Sequence, residues 1–133
     1  MLRFSEGINL AVHALGYLAA QEGKAATVAT IAESLEVSRD HLSKVLQRLS
    51  KVRMVSAQRG PKGGYVLAQK SSAITLLDVF EALEGPWHEP HCLLGGNICG
   101  GACVLHQLTG EVHQQVREKL DSTTLADLPR LPR

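Results

Sequence analysis

Leu42, Val45, Leu46 and Leu49 fall at i, i+3, i+4 and i+7 directly after Ser38. That spacing describes an amphipathic helix, RDHLSKVLQRLSK, whose start is set by a hydroxyl cap. Upstream, Thr27 can cap a shorter helix, VATIAESLE, in which Val28, Ile31, Ala32 and Leu35 face inward, and a turn follows at Glu36 and Val37. Two helices joined by a tight turn, the second strongly polar on its outer face, match the helix-turn-helix arrangement. Downstream, MVSAQRGPKGGYVLA reads as two short β runs around Gly60, Pro61, Lys62, Gly63 and Gly64. The glycines supply the positive φ of a compact turn. A hairpin in that place makes a winged helix.

The remaining chain is helical by the same criterion. Phe4, Ile8, Ala11, Val12, Leu15, Leu18 and Ala19 predict a first helix over residues 5 to 22, closed by Gly23 and Lys24. Its other side carries Asn9, His13, Gly16 and Ala20, a narrow polar and small stripe that another helix can approach. Thr75 and Asp78 form a capping-box pattern opening LLDVFEALEG, which Gly85 and Pro86 terminate. Residues 86 to 101 are loop by composition. From Ala102 to about Ser122, Leu105, Leu108, Val112, Val116 and Leu120 mark one stripe of a long helix, slightly weakened by Gly110. The rest of the chain is too small to cover that stripe, so it is expected to be a dimerisation helix. The tail TTLADLPRLPR is expected to form one further turn and then fray. With 133 residues and 44% apolar composition, the chain suffices for one domain with a real core. The expected fold is mainly α with a small β-hairpin wing. A winged helix-turn-helix over 1–85, a cysteine-rich loop over 86–104 and a dimerisation helix with tail over 102–133 form one compact unit.

The formal charge of +1 hides an asymmetry: residues 1 to 70 carry ten Lys/Arg against five Asp/Glu, and residues 71 to 133 carry four against eight. A front part at +5 and a back part at −4 suggest that the N-terminal part meets a polyanion. Opposite its leucines, the second helix of the pair presents Arg39, Asp40, Ser43, Lys44, Gln47 and Arg48. The N-terminal residues of a recognition helix reach base edges, so Ser38, Arg39, Ser43 and Lys44 are the expected readers, with Gln47, Arg48 and Lys51 nearer phosphates. Thr27, at the start of the preceding helix, is assigned to the same face. Arg59 and Lys62 sit at the hairpin tip, where a long cationic side chain can enter the minor groove. The expected partner is double-stranded DNA with a pseudo-palindromic operator.

All three cysteines lie in HCLLGGNICGGACVLH, residues 91 to 106. The opening MLRFSEGINLAVHALGYLAA is broken by Ser5, Glu6, Asn9 and His13 before a signal-like apolar run builds up, and nothing approaches transmembrane length. The expectation is a cytoplasmic chain that does not engage a membrane and keeps its thiols reduced, in which a tight cysteine cluster reads as metal or redox chemistry. Cys92, Cys99 and Cys103 are separated by six and then three residues. Three soft thiolates at such spacing can surround one metal centre. Cys103 and His106 share a helix face, roughly 5–6 Å apart at Cβ, and a helix N-terminus favours the thiolate. The interspersed glycines let backbone amides approach bridging sulfides. Zinc accepts three cysteines and a histidine, but structural zinc sites more often use closely paired cysteines, which this loop lacks. An iron-sulfur cluster comes first and zinc second. A cofactor-free regulator using a thiol switch or a partner protein is the alternative. A zinc enzyme fails for want of machinery, since only Glu89 lies near the loop as a general base.

RGPKGGY at 59 to 65, ITLLDVFEALEG at 74 to 85 and TLADL at 124 to 128 resemble the wing, linker-helix and closing motifs of the Rrf-type winged-helix regulators, which include IscR-like and NsrR-like iron-sulfur repressors. The resemblance spans nearly the whole chain. It implies a homodimeric transcription factor whose long helices cross, with each cluster loop near the partner's first helix. It further implies that Arg59 probes the minor groove and that Cys92, Cys99 and Cys103 ligate a cluster whose state controls DNA affinity, a 2Fe-2S centre being placed ahead of a 4Fe-4S one. Cluster-bearing relatives commonly space their cysteines five and five, so the gaps here do not carry the cluster type over. For the fourth ligand, His106 stands where IscR-like members have their histidine. In other relatives the partner's first helix supplies the outside ligand, where Asn9 and His13 stand; His13 is the better donor. His91, His88 and a non-protein ligand remain as alternatives.

Overall fold

The computed structural model describes residues 3–89 and 100–130. Ser5 is extended, and its hydroxyl accepts the Ile8 N–H at 3.2 Å. This cap opens α1, Glu6–Ala20, two residues shorter at its end than the periodicity suggested. Ile8, Leu10, Ala11, Ala14, Leu15 and Leu18 are buried, making α1 the central element of the core. Phe4 precedes the cap and is 45% exposed, so it does not join the inward face.

Thr27 caps α2, Val28–Leu35, by accepting from Thr30 N at 3.1 Å. Glu36 then takes a left-handed conformation (φ 57°, ψ 44°), and Val37 N bonds back to the Ala32 carbonyl at 3.0 Å. These contacts close the turn between the helices. Ser38 caps α3, Arg39–Lys51, and all four residues of its apolar stripe, Leu42, Val45, Leu46 and Leu49, are buried. The helix-turn-helix forms as the spacing predicts.

α3 leads through Val52–Met54 into β1, Val55–Gln58, which pairs antiparallel with β2, Gly64–Leu67, from Val55 opposite Leu67 to Gln58 opposite Gly64. Ala26 adds an isolated bridge to Tyr65, with both backbone bonds made at 3.0 and 2.7 Å. The hairpin is thereby stitched to the residue just before the α2 cap. Gly64 has φ 140°, and a Cβ there would stand 2.4 Å from the Ala26 carbonyl oxygen. The neighbouring Gly63 is needed for a different reason: a Cβ would meet the Gln58 carbonyl oxygen at 2.5 Å. One glycine serves the backbone angle and the close approach, the other the close approach alone.

After a 3-10 turn at Ser71–Ala73, Thr75 and Asp78 form the expected capping box, each accepting the other's backbone N–H at 3.0 and 2.9 Å. They open α4, Leu76–Glu84, which ends at Gly85 with φ 86°. α5 spans Val104–Ser122 and packs on α4, yet none of its residues is buried. Leu105 and Leu108 of its stripe are 67% and 54% exposed, whereas Val112, Val116 and Leu120 are half-buried.

The tail forms the one further turn expected of it, at Leu125–Asp127, and the residues from 131 on lie outside the described ones. What the local pattern did not signal is that residues 123–128 fold back onto the body of the domain. Leu76 N donates to the Thr123 carbonyl at 2.9 Å and Leu125 N to the Ile74 carbonyl at 3.0 Å. Leu125 is 2% exposed within the core cluster. A second capping box, Thr124 with Asp127, fixes the 3-10 turn Leu125–Asp127. The Thr124 backbone N–H, and next its hydroxyl, hold the Asp127 carboxyl below the usual carboxylate range. Leu128 packs against the core beside Gly16, so this chain's own tail meets part of the small-residue stripe of α1 that was expected to await another helix.

Candidate DNA interface and cysteine site

On α3, Ser38, Arg39, Asp40, Lys44, Gln47, Arg48 and Lys51 are exposed and Ser43 is half-buried. Arg39, Lys44 and Lys51 form no ion pair among the described residues, which leaves three positive charges on one solvent-facing helix surface. The Ser38 and Thr27 hydroxyls accept the cap bonds of their helices, at 3.4 Å from His41 N and 3.1 Å from Thr30 N. The wing tip presents Arg59 and Lys62, both exposed. Helix and wing form one continuous piece: Met54 N bonds the Leu49 carbonyl at 3.0 Å, and Gln69 reaches the Arg53 carbonyl at 3.0 Å.

Arg48 differs from the other cations. It donates through Nη2 to the Leu83 carbonyl, near the C-terminus of α4. The helical spacing placed Arg48 on the outer face, but nothing in the sequence signals this partner.

Of the cysteine site, Cys92, Cys99 and His91 lie outside the described residues. Cys103 is half-buried and stands at the N-cap position of α5, approached through Gly100 (φ 57°) and Gly101 (φ 84°). His106 follows within the first turn and is exposed, as is His88. His13 is exposed on α1, with Nδ1 2.6 Å from the Asn9 carbonyl oxygen. That contact directs the hydrogen to Nδ1 and leaves Nε2 as the atom able to ligate. His13 lines a groove of about 290 Å³ with Glu6, Asn9, Leu10, Leu35 and Val37. His106 lines another of about 560 Å³ on the side of α5, shared with Glu89 and His113.

Trp87, the only tryptophan, lies inside the stretch assigned to loop by composition, and sequence reasoning passed over it. Its ring stacks on His113 of α5 at 4.3 Å between centroids, and its indole N–H donates to His113 Nδ1 at 3.1 Å. Phe80 of α4 meets it edge-on at 4.7 Å, and the Trp87 backbone N–H donates to the Glu81 carboxylate at 3.1 Å. A lone large aromatic in a polar segment directly after a helix stop was the available signal.

A family model described as Rrf2, iron-dependent transcriptional regulator, matches residues 4–130. The chain belongs to the Rrf2 family. A putative HTH-type transcriptional regulator of Aquifex aeolicus is 32% identical over 129 residues, covering 94% of this chain and 90% of the relative. Among solved Rrf2-like structures, CymR (YrzC), the global cysteine regulator of B. subtilis, superposes with a TM-score of 0.82 at 30% identity, covering 96% of this chain and 95% of that one. T. potens IscR superposes with a TM-score of 0.76 at 30% identity, covering 95% and 85%. The two-stranded hairpin after α3 is therefore the wing of an Rrf2 winged-helix transcriptional regulator. No helix among the described residues is long and apolar enough to cross a membrane.

Proposed function

We propose that this Rrf2-family chain is a cytoplasmic homodimeric regulator that binds a pseudo-palindromic operator and senses redox, nitric oxide or iron-sulfur status through its cysteine loop. The observation that carries this reading is the placement of Cys103 at the N-cap and His106 on the first turn of α5, a helix whose apolar stripe is open at the same end. A second copy covering Leu105 and Leu108 would bring the cysteine loop to the dimer seam. The family model's description as iron-dependent and the likeness to IscR support the same reading.

The donor set fits an iron-sulfur cluster: three thiols, Cys92, Cys99 and Cys103, with imidazoles at His106 and, from the partner's α1, His13. When bound, such a cluster supplies a redox-active, ligand-labile centre; a 2Fe-2S form is placed first, with zinc as the lesser alternative. The chain's own residues do the rest. Arg39, Ser43 and Lys44 face the bases from the first turns of α3, Gln47 and Lys51 face phosphates, and Arg59 and Lys62 reach the minor groove. Ser38 and Thr27, as helix caps, hold the N-termini of α3 and α2 in register for the same surface. In a dimer the two α3 helices lie on a fixed half-site spacing, so a small change in their setting removes several contacts together.

Anaerobic purification with iron and acid-labile sulfide analysis, followed by electron paramagnetic resonance of the reduced sample, tests the cofactor. Equal iron and sulfide with a spin-half signal is expected, and a colourless, metal-free protein would refute it. The likeness to CymR, solved from Staphylococcus aureus in an oxidized form, favours a second reading, a cofactor-free thiol switch. It predicts a reversible disulfide by mass spectrometry under oxidant, and no iron.

A further inference from the structure

Arg48 sits in the last turn of α3, and its guanidinium donates to the carbonyl of Leu83, one residue before the end of α4. Carbonyls in a helix's final turn lack partners within the helix, and the negative end of the helix dipole strengthens their hold on a cation. Arg48 therefore caps α4 from outside, and this one charge-assisted hydrogen bond ties the recognition helix to the α4 terminus. Just beyond that terminus stands Trp87, held by Phe80 and Glu81 of α4 and stacked on His113 of α5. Cys103 is in turn the N-cap residue of α5. Directed contacts thus run without a gap from α3 to the helix that carries the cysteine site.

We infer that Arg48 is a positioning residue of the recognition helix rather than a phosphate contact, and that with Trp87 it links the cysteine site to DNA affinity. The regulatory half of this inference rests on the cysteine-site reading proposed above. α5 is one continuous helix of 19 residues, hydrogen-bonded through Gly110, so a displacement at its N-terminal end is carried along the helix to His113. Trp87 is locked between α4 and α5 and passes that displacement to the α4 terminus. Arg48 passes it to α3, whose first turns face the bases.

The test uses fluorescence anisotropy with two labelled duplexes: one selected by this protein from a random-sequence library, and a scrambled control. Wild type, Arg48→Gln and Trp87→Phe are titrated over a salt series, before and after alkylation of the thiols with iodoacetamide. Alkylation is expected to change wild-type affinity for the selected duplex by at least about fivefold, and both variants to bring that ratio close to one. Arg48→Gln should also lower the preference for the selected duplex by about tenfold, the equivalent of one charge-assisted hydrogen bond, with the salt dependence unchanged. A salt slope reduced by about one, with equal losses on both duplexes, marks a phosphate contact and overturns the positioning role. Variants that respond to alkylation as the wild type does overturn the link. A wild type that does not respond overturns the cysteine-site reading and the regulatory half with it, while salt slope and duplex preference still decide the role of Arg48. Trp87→Phe keeps a ring beside Phe80 and loses the indole N–H, so it carries the test if circular dichroism shows Arg48→Gln to be unfolded.

Discussion

Replacing Leu125 with alanine should unfold the domain well before any other single change in the C-terminal third. The side chain is 2% exposed and belongs to the same core cluster as α1 and α4. Its backbone N–H is bonded to the Ile74 carbonyl at 3.0 Å, so the chain cannot slide to fill the space. Truncating a buried leucine removes its transfer free energy and leaves a cavity, together about 2–5 kcal/mol. The upper half of that range applies where the surroundings are held, as here by the two capping boxes at Thr75 and Thr124. For a domain of this size each kcal/mol moves the melting temperature by about 3–5 °C, so Leu125→Ala should lower it by about 10 °C or more. Thermal melts followed by circular dichroism at one fixed protein concentration measure this. Leu128→Ala, half-buried at the α1 surface, is expected to cost clearly less. A shift of under about 2 °C for Leu125→Ala would mean that residues 123–128 do not stay docked on the core in solution and would refute the reasoning.

Gly64→Ala forces a Cβ to within 2.4 Å of the Ala26 carbonyl at φ 140°; a loss of at least about 2 kcal/mol in urea unfolding is expected, with weakened duplex binding, and a neutral result would refute the stitched wing. The carboxyl of Asp127 is held below its ordinary value of 3.8 by Thr124. Its contribution is therefore full above that value and lost as pH falls through the lower, folded one. Wild type should exceed Asp127→Asn in stability at neutral pH, the difference closing in strong acid; a pH-independent difference would contradict the assignment. Leu108→Asp, at a side chain 54% exposed in the single chain, should convert a dimer to monomer in sedimentation without loss of helix content, and an unchanged mass would remove α5 from the interface.

Local rules made most of the fold legible. The caps at Ser38, Thr27 and Thr75 and the leucine stripe of α3 are each readable from a few adjacent residues, and all formed where they stand in the sequence. The turn at Leu125–Asp127 is where the sequence places it, but its docking is not legible there: TTLADL is too short to show a period, and its order comes from Ile74 and Leu76 across the chain, which no local pattern reveals. Phe4 carried the right spacing but lies before the cap that starts α1, and a helix face does not extend past its cap. At the candidate site, residue types and spacing pointed to the three thiols and to His106. The bond from Arg48 to the Leu83 carbonyl and the stack of Trp87 on His113 join residues 35 and 26 positions apart. Only the packing of α4 against α3 and α5 creates them.

Removal of one thiol, read out as operator affinity, tests the role of the cysteine site most directly. With protein prepared without oxygen, Cys99→Ser should lose bound iron and sulfide and change affinity for the selected duplex by at least about fivefold, with stability unchanged. Undiminished iron together with wild-type affinity would contradict it.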